Sequence, residues 1–215
     1  MELNKLVSLL VVLAFLTTFI IGGYFKFGYI IVAIVGGSAL LAFFAWLKTT
    51  FNKPAEPAII LPIFLVGIAC LMVHIIEEYL TGFAPRMSQT FHISFTTHEF
   101  VLFFGMAGYV LWILSALGLM YKSRVANFFA WVFLIGPGTA EIAHYIFPLY
   151  EGGPYHYFPG MYTAWLPMIP GIYGIYVLLK KTISTFLFMV SESTLNRDNL
   201  LLKFLPAFID SIFVS

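Results

Sequence analysis

Six long apolar stretches, at residues 6–21, 28–47, 58–79, 98–121, 125–150 and 160–179, limit what this chain can become more than any other feature. A helix needs about 20 apolar residues to cross the hydrocarbon core of a bilayer. A transmembrane β-barrel would instead show segments of about ten residues with alternating polarity, and these runs do not alternate. Charged residues make up only 10% of the 215 residues and the mean hydropathy is +0.95, whereas soluble domains carry about 25% charge. There is too little charge to cover a water-facing surface. The expected fold is all-α: a polytopic transmembrane helical bundle of six spans plus a C-terminal interfacial helix.

Residues 1–190 are read as the six-span domain, with the chemistry-bearing motifs between 71 and 165, and residues 191–215 as a cytoplasmic tail. In the tail, Leu200, Leu201, Phe204, Leu205, Phe208, Ile209, Ile212 and Phe213 repeat at helical spacing. That stripe is too short to span and suits a helix lying in the interface. The first stretch follows Lys5 and is not followed by a small-x-small cleavage site after Gly23, so it is read as a retained helix rather than a signal peptide. Lys5, Lys48, Lys53, Lys122, Arg124, Lys180, Lys181, Arg197 and Lys203 fall on one side of a six-span topology, and only Lys26 and Arg86 on the other. The positive-inside rule then makes both termini cytoplasmic, with the plasma membrane as the default location. The net charge of +1 gives no reason to propose a nucleic-acid partner, and a single cysteine, Cys70, excludes a disulfide framework or thiolate metal site.

A charged side chain at the bilayer centre costs at least about 2.5–3.5 kcal/mol on insertion scales, so each one asks for a reason. His74, Glu77 and Glu78 share a helix face by their i, i+3 and i+4 spacing, and Glu141 and His144 share another. His98 and Glu99 open the fourth stretch but are adjacent, so only one of them need face a common point. Before Glu141, Gly136-Pro137-Gly138 is expected to break or kink the helix. Alternating the spans places all seven residues at one depth, in the outer half of the membrane.

Four carboxylates at that depth require either protonation or a multivalent cation. His and Glu without Cys suit iron, manganese or zinc, and the carboxylate share favours iron or manganese. Glu-x-x-His is also the unit that di-iron and di-manganese bundles repeat. The expected ligand pool is therefore His74, Glu77, Glu78, His98, Glu141 and His144, holding one or two divalent ions. Glu99, Glu78 and His74 are the candidate catalytic residues. Tyr157, His156 and Trp165 are the candidate contacts to a substrate, expected to be a lipid or another hydrophobic small molecule. A metal there could serve an oxidoreductase or a hydrolase of lipid metabolism. Three rivals remain: a metal-free isomerase of a sterol-like or terpenoid substrate, with His74 and Glu99 moving the proton and Trp165 facing the positive charge, an ion or proton carrier, and, ranked last, a structural or partner-binding protein whose polar layer only joins helices.

The run His74-Ile75-Ile76-Glu77-Glu78 resembles the signature of the HXXEE family of membrane proteins. The resemblance continues at His144-Tyr145-Ile146-Phe147 and at Tyr157-Phe158-Pro159-Gly160-Met161-Tyr162-Thr163-Ala164. This last run is similar to the family's Tyr-x-Pro-Gly-Leu-x-Thr-Ala block, with Met161 in the leucine position. It implies membership but no particular reaction, and Glu141 has no counterpart in these motifs. A narrower similarity links His74 to Glu78, followed by Glu99, with the His-x-x-x-Glu pattern of the emopamil-binding (EXPERA) sterol isomerases, in which Trp165 would correspond to a tryptophan facing a cationic intermediate.

Overall fold

A computed structural model describes residues 2–180, the side chains of Ile30 and Ile31 excepted; the expected interfacial helix of the tail lies outside the described residues. The described residues contain helices and no strand. In chain order the helices are α1 (Leu3–Tyr29), α2 (Val32–Lys48), α3 (Pro57–Thr81), α4 (Phe83–Phe91), α5 (Thr97–Met120), α6 (Arg124–Glu151) and α7 (Trp165–Lys180). Four of them, α1, α3, α5 and α6, are long and apolar enough to cross a membrane, whereas α2 and α7 are shorter apolar helices. Residues 2–176 pack as one unit. The chain from Val177 groups separately, and of it only the last turn of α7 is described.

The apolar run from Leu3 to Lys48 is divided by one residue. Gly28 adopts φ 77°, ψ −175°, a conformation open to glycine and closed to residues with a Cβ. The chain reverses there. A Cβ built on Gly36 would lie 3.5 Å from Ile20 Cγ1, and both residues are eight positions from Gly28.

α6 is the axis of the bundle, burying Ala126, Phe128, Ala130, Trp131, Phe133, Leu134 and Gly138. Lipid tails give apolar helices no hydrophobic reason to associate, so close packing through small residues must do it. Glycines supply this at three crossings. A Cβ on Gly67 of α3 would come within 2.5 Å of the Phe133 ring, and one on Gly118 of α5 within 2.7 Å of Ala126 Cβ. One on Gly138 would lie 2.8 Å from the Cα of Gly171 in α7. At its start α6 is fixed by polar contacts to the end of α2 and to the 49–56 loop. Trp46 Nε1 donates to the Arg124 carbonyl (2.9 Å), Ala55 N to Asn127 Oδ1 (2.9 Å) and Trp131 Nε1 to Thr50 Oγ1 (3.2 Å).

Towards its other end α6 loses regularity where Gly136-Pro137-Gly138 lies. Pro137 has no N–H to give and its ring crowds the preceding turn. The Thr139 hydroxyl takes up the carbonyl of Leu134 (2.7 Å), and the backbone tightens to a 3₁₀ turn at Ala140–Ile142. In such a turn residues three apart eclipse one another, which stacks Glu141 under His144.

These contacts set different tolerances at two nearby glycines. Gly138→Ala meets backbone that cannot move aside and is expected to destabilise the protein by about 1–3 kcal/mol, whereas a Cβ on Gly136 finds only Ser38 Cβ at 3.9 Å and Gly136→Ala should be neutral. Thermal unfolding of both variants in detergent, followed by tryptophan fluorescence, checks this.

Candidate metal centre

The C-terminal halves of α3 and α6 bring two imidazoles face to edge, with ring centroids 4.8 Å apart. His74 is completely buried, and Glu78 and His144 nearly so. His144 Nε2 lies 3.0 Å from Glu141 Oε2 and 3.3 Å from Glu78 Oε1; His74 Nε2 lies 3.2 Å from the same Glu141 oxygen and 3.8 Å from Glu78 Oε1. Phe83, Phe147 and Phe158 pack around the His144 ring and keep the surroundings apolar. The buried group His74, Glu78 and His144 could hold a metal ion.

The remaining ring nitrogens fix the tautomers. His144 Nδ1 lies 2.7 Å from the Pro159 carbonyl oxygen, which can only accept, so Nδ1 carries the proton and donates. His74 Nδ1 lies 3.1 Å from Thr163 Oγ1. That hydroxyl gives its single proton to Glu77 Oε2 and can therefore only accept from the imidazole. Both histidines, when neutral, direct an Nε2 lone pair towards Glu78 and Glu141. Two nitrogen and two carboxylate acceptors thus converge, and no other side chain donates a hydrogen bond to them among the described residues.

Glu77 has a different task from its neighbour. Its carboxylate accepts from the Tyr157 hydroxyl (2.6 Å), Tyr162 N (3.1 Å), Thr163 N (2.7 Å) and the Thr163 hydroxyl. It anchors the 157–163 segment to α3 and, through Thr163, orients His74. Burial and this bond hold the Tyr157 phenol above its ordinary pKa, so it remains a donor. Gly160, with φ 92°, lies against both rings: a Cβ there would approach His144 Cε1 to 2.5 Å and His74 Cε1 to 3.0 Å.

His98 and Glu99 stand apart from this group. His98 is exposed. Glu99 closes a capping box with Thr96 at the start of α5, accepting from Thr96 N (2.9 Å), and forms an ion pair with Lys26 of α1. Thr96-x-x-Glu99 is a capping signature that can be read directly from sequence. Trp165 is half exposed and its indole N–H donates to the Tyr162 carbonyl (2.8 Å). Three contributors carried no spacing signal of their own: Thr163, Gly160 and Tyr109. Tyr109 of α5 has a buried hydroxyl without a hydrogen-bond partner and interacts electrostatically with Glu78.

His156 belongs to a second polar group, at the C-terminal end of α6. Its Nδ1 faces the Pro154 carbonyl (3.0 Å) and its Nε2 faces Glu151 Oε2 (2.6 Å). The Pro154 and then the Glu151 contacts raise its pKa above the ordinary 6.5. A raised imidazolium pKa means that its attraction to Glu151 is complete below pH 6.5 and is lost only as pH climbs through the higher folded value. An NMR titration of the His156 ring is expected to give a midpoint above 6.5, returning towards it in Glu151→Gln.

Compared with known proteins, the chain matches no family model, no curated protein and no solved structure.

Proposed function

We propose that this protein is an intramembrane metal-dependent enzyme whose centre is His74, Glu78, Glu141 and His144, acting on a lipid or another hydrophobic small molecule. The observation that carries this reading is the arrangement of donors: both Nδ1–H groups are held from outside, and with the rings neutral the four groups left facing one another are all acceptors. A cation satisfies that set at once. Three of the four Nε2-to-oxygen separations, 3.0–3.3 Å, match the ligand–ligand edges of about 3.0–3.4 Å that follow from metal–ligand bonds of about 2.1 Å, and the fourth, from His74 to Glu78, is 3.8 Å. Outer partners on the second ring nitrogen are also what metal-ligating histidines use to fix their orientation.

Two nitrogens and two carboxylates suit iron or manganese ahead of zinc, as one or two ions. Glu141 keeps 18% side-chain exposure while the other three have 0–5%, so an open position for water or substrate belongs on its side. A bound metal lowers the pKa of its water to about 7 for hydrolysis, or as iron activates oxygen. Commitment of Glu99 to Thr96 and Lys26 favours this reading over the proton-shuttling isomerase, which needs that carboxylate.

We further read α1, α2, α3, α5, α6 and α7 as six spans; the reversal at Gly28 supports counting α1 and α2 separately. Lys48, Lys53, Lys122 and Arg124 flank the end at which the 49–56 loop meets the start of α6, with Arg124 Nε bonded to the Phe51 carbonyl. That end is assigned to the cytoplasm with both termini, the plasma membrane being the default, and the metal centre to the outer half. Membership of the HXXEE family stays part of this proposal, carried by the matching residues.

Elemental analysis of detergent-purified protein tests the reading. Stoichiometric metal is expected, lost in both His74→Ala and His144→Ala and kept in His98→Ala and Glu99→Gln. Thr163→Val should weaken metal affinity by about 10–100-fold. No stoichiometric metal in chelator-free preparations, or full retention in both histidine variants, overturns it.

A further inference from the structure

Above the metal centre, α4 lies across the end of the bundle. It buries Ala84 and Met87 and packs Phe83 and Phe91 against Phe100, Phe147 and Phe158. Its opposite face carries Arg86, Gln89 and Thr90, which with Tyr150, Glu151, Gly152 and His156 line an open polar groove. The charges in that groove do not balance. Arg86 Nη2 donates to Glu151 Oε2 at 2.6 Å, and His156 Nε2 lies 2.6 Å from the same oxygen. Glu151 Oε1 is taken by the Thr90 hydroxyl. His156 Nδ1 faces the Pro154 carbonyl and so carries a proton, while Nε2 faces both the Glu151 carboxylate and Arg86 Nη2; protonated at Nε2, the state its raised pKa favours, the ring is a cation. In that protonated state two cations, with Arg86 Nη2 and His156 Nε2 3.0 Å apart, share one carboxylate oxygen.

Arg86 Nε is buried and has no hydrogen-bond partner. A structural ion pair would close its donors and its charges; this one leaves Arg86 Nε open, and with His156 protonated it leaves one positive charge over. What it lacks is an anion with several acceptor oxygens, the group that a guanidinium fork recognises best. The Gln89 amide and Tyr150 hydroxyl are further donors on the wall. Tyr150 on the groove wall and Tyr155, next to His156 in the chain, are exposed, aromatic residues of the kind that mark the headgroup level of a membrane protein.

We propose that Arg86 and His156 form a binding site for the phosphate of an anionic lipid headgroup, held between α4, the end of α6 and the 152–156 loop. The site is separate from the metal centre, and it stands or falls independently of it. Glu151 positions the two cations and at the same time competes with the ligand for them.

The test is native mass spectrometry of the full-length protein with added phosphatidylglycerol, phosphatidylcholine and diacylglycerol, and with inorganic phosphate as competitor. Phosphatidylglycerol is expected to be retained above the other two lipids. Arg86→Gln should lower its retention about tenfold, the value of one charge-assisted hydrogen bond, with metal content unchanged on the same preparations. Below pH 6.5, where the His156 ring stays charged without its partner, Glu151→Gln removes the competing charge and should raise retention, an effect that a purely structural role would not give. Equal retention of the three lipids, or no change in either variant, overturns the proposal. So does displacement of the lipid by equimolar inorganic phosphate, which would make free phosphate the ligand.

Discussion

Everything around the centre depends on how two imidazoles are held by their far nitrogens. Pro159 O fixes one ring and Thr163 Oγ1 the other, and both partners come from the segment between α6 and α7. That segment is in turn tied to α3 by Glu77. The result is a closed circuit: α3 supplies His74 and Glu78, α6 supplies Glu141 and His144, and the loop sets the direction in which the rings point. A buried carboxylate or imidazole left unpaired is expensive in a low-dielectric interior. Here the expense is met only if a cation or shared protons join the four acceptors, so electrostatics and function meet in the same atoms.

The scaffold has to deliver α3 and α6 at a close and fixed crossing. Gly67 against Phe133 sets that distance, and Gly138 against Gly171 sets the approach of α7 to α6. Pro137 and its flanking glycines allow the turn that places Glu141 beneath His144. Gly160 completes the arrangement by leaving no side chain where the rings stand. Residues that look like helix breakers are therefore concentrated where the centre needs short approaches and an irregular backbone.

Much of this was legible from spacing. His74 with Glu78 and Glu141 with His144 follow from helical periodicity, and alternating spans bring them to one depth. Periodicity could not separate Glu77 from Glu78, since both satisfy the spacing to His74 and differ by only about 100° around the axis. The choice is made by the 157–163 segment, which covers the Glu77 face with four donors. Depth alone also groups His98 and Glu99 with the centre, but local capping chemistry at Thr96 and the charge of Lys26 engage Glu99 at the helix start. The part played by Arg86 and Glu151 depends on α4 folding back over the bundle, a turn made at Gly82 (φ 79°) that no periodic signal announces.

The most direct measurement is an anomalous difference map from crystals of the metal-loaded protein, collected at the absorption edge of the bound metal. The account predicts a peak between His74 Nε2 and His144 Nε2, ligated by Glu78 and Glu141, with both Nδ1 atoms still bonded to Thr163 and Pro159. A peak ligated instead by Glu77 or His98, or none at saturating metal, would contradict it.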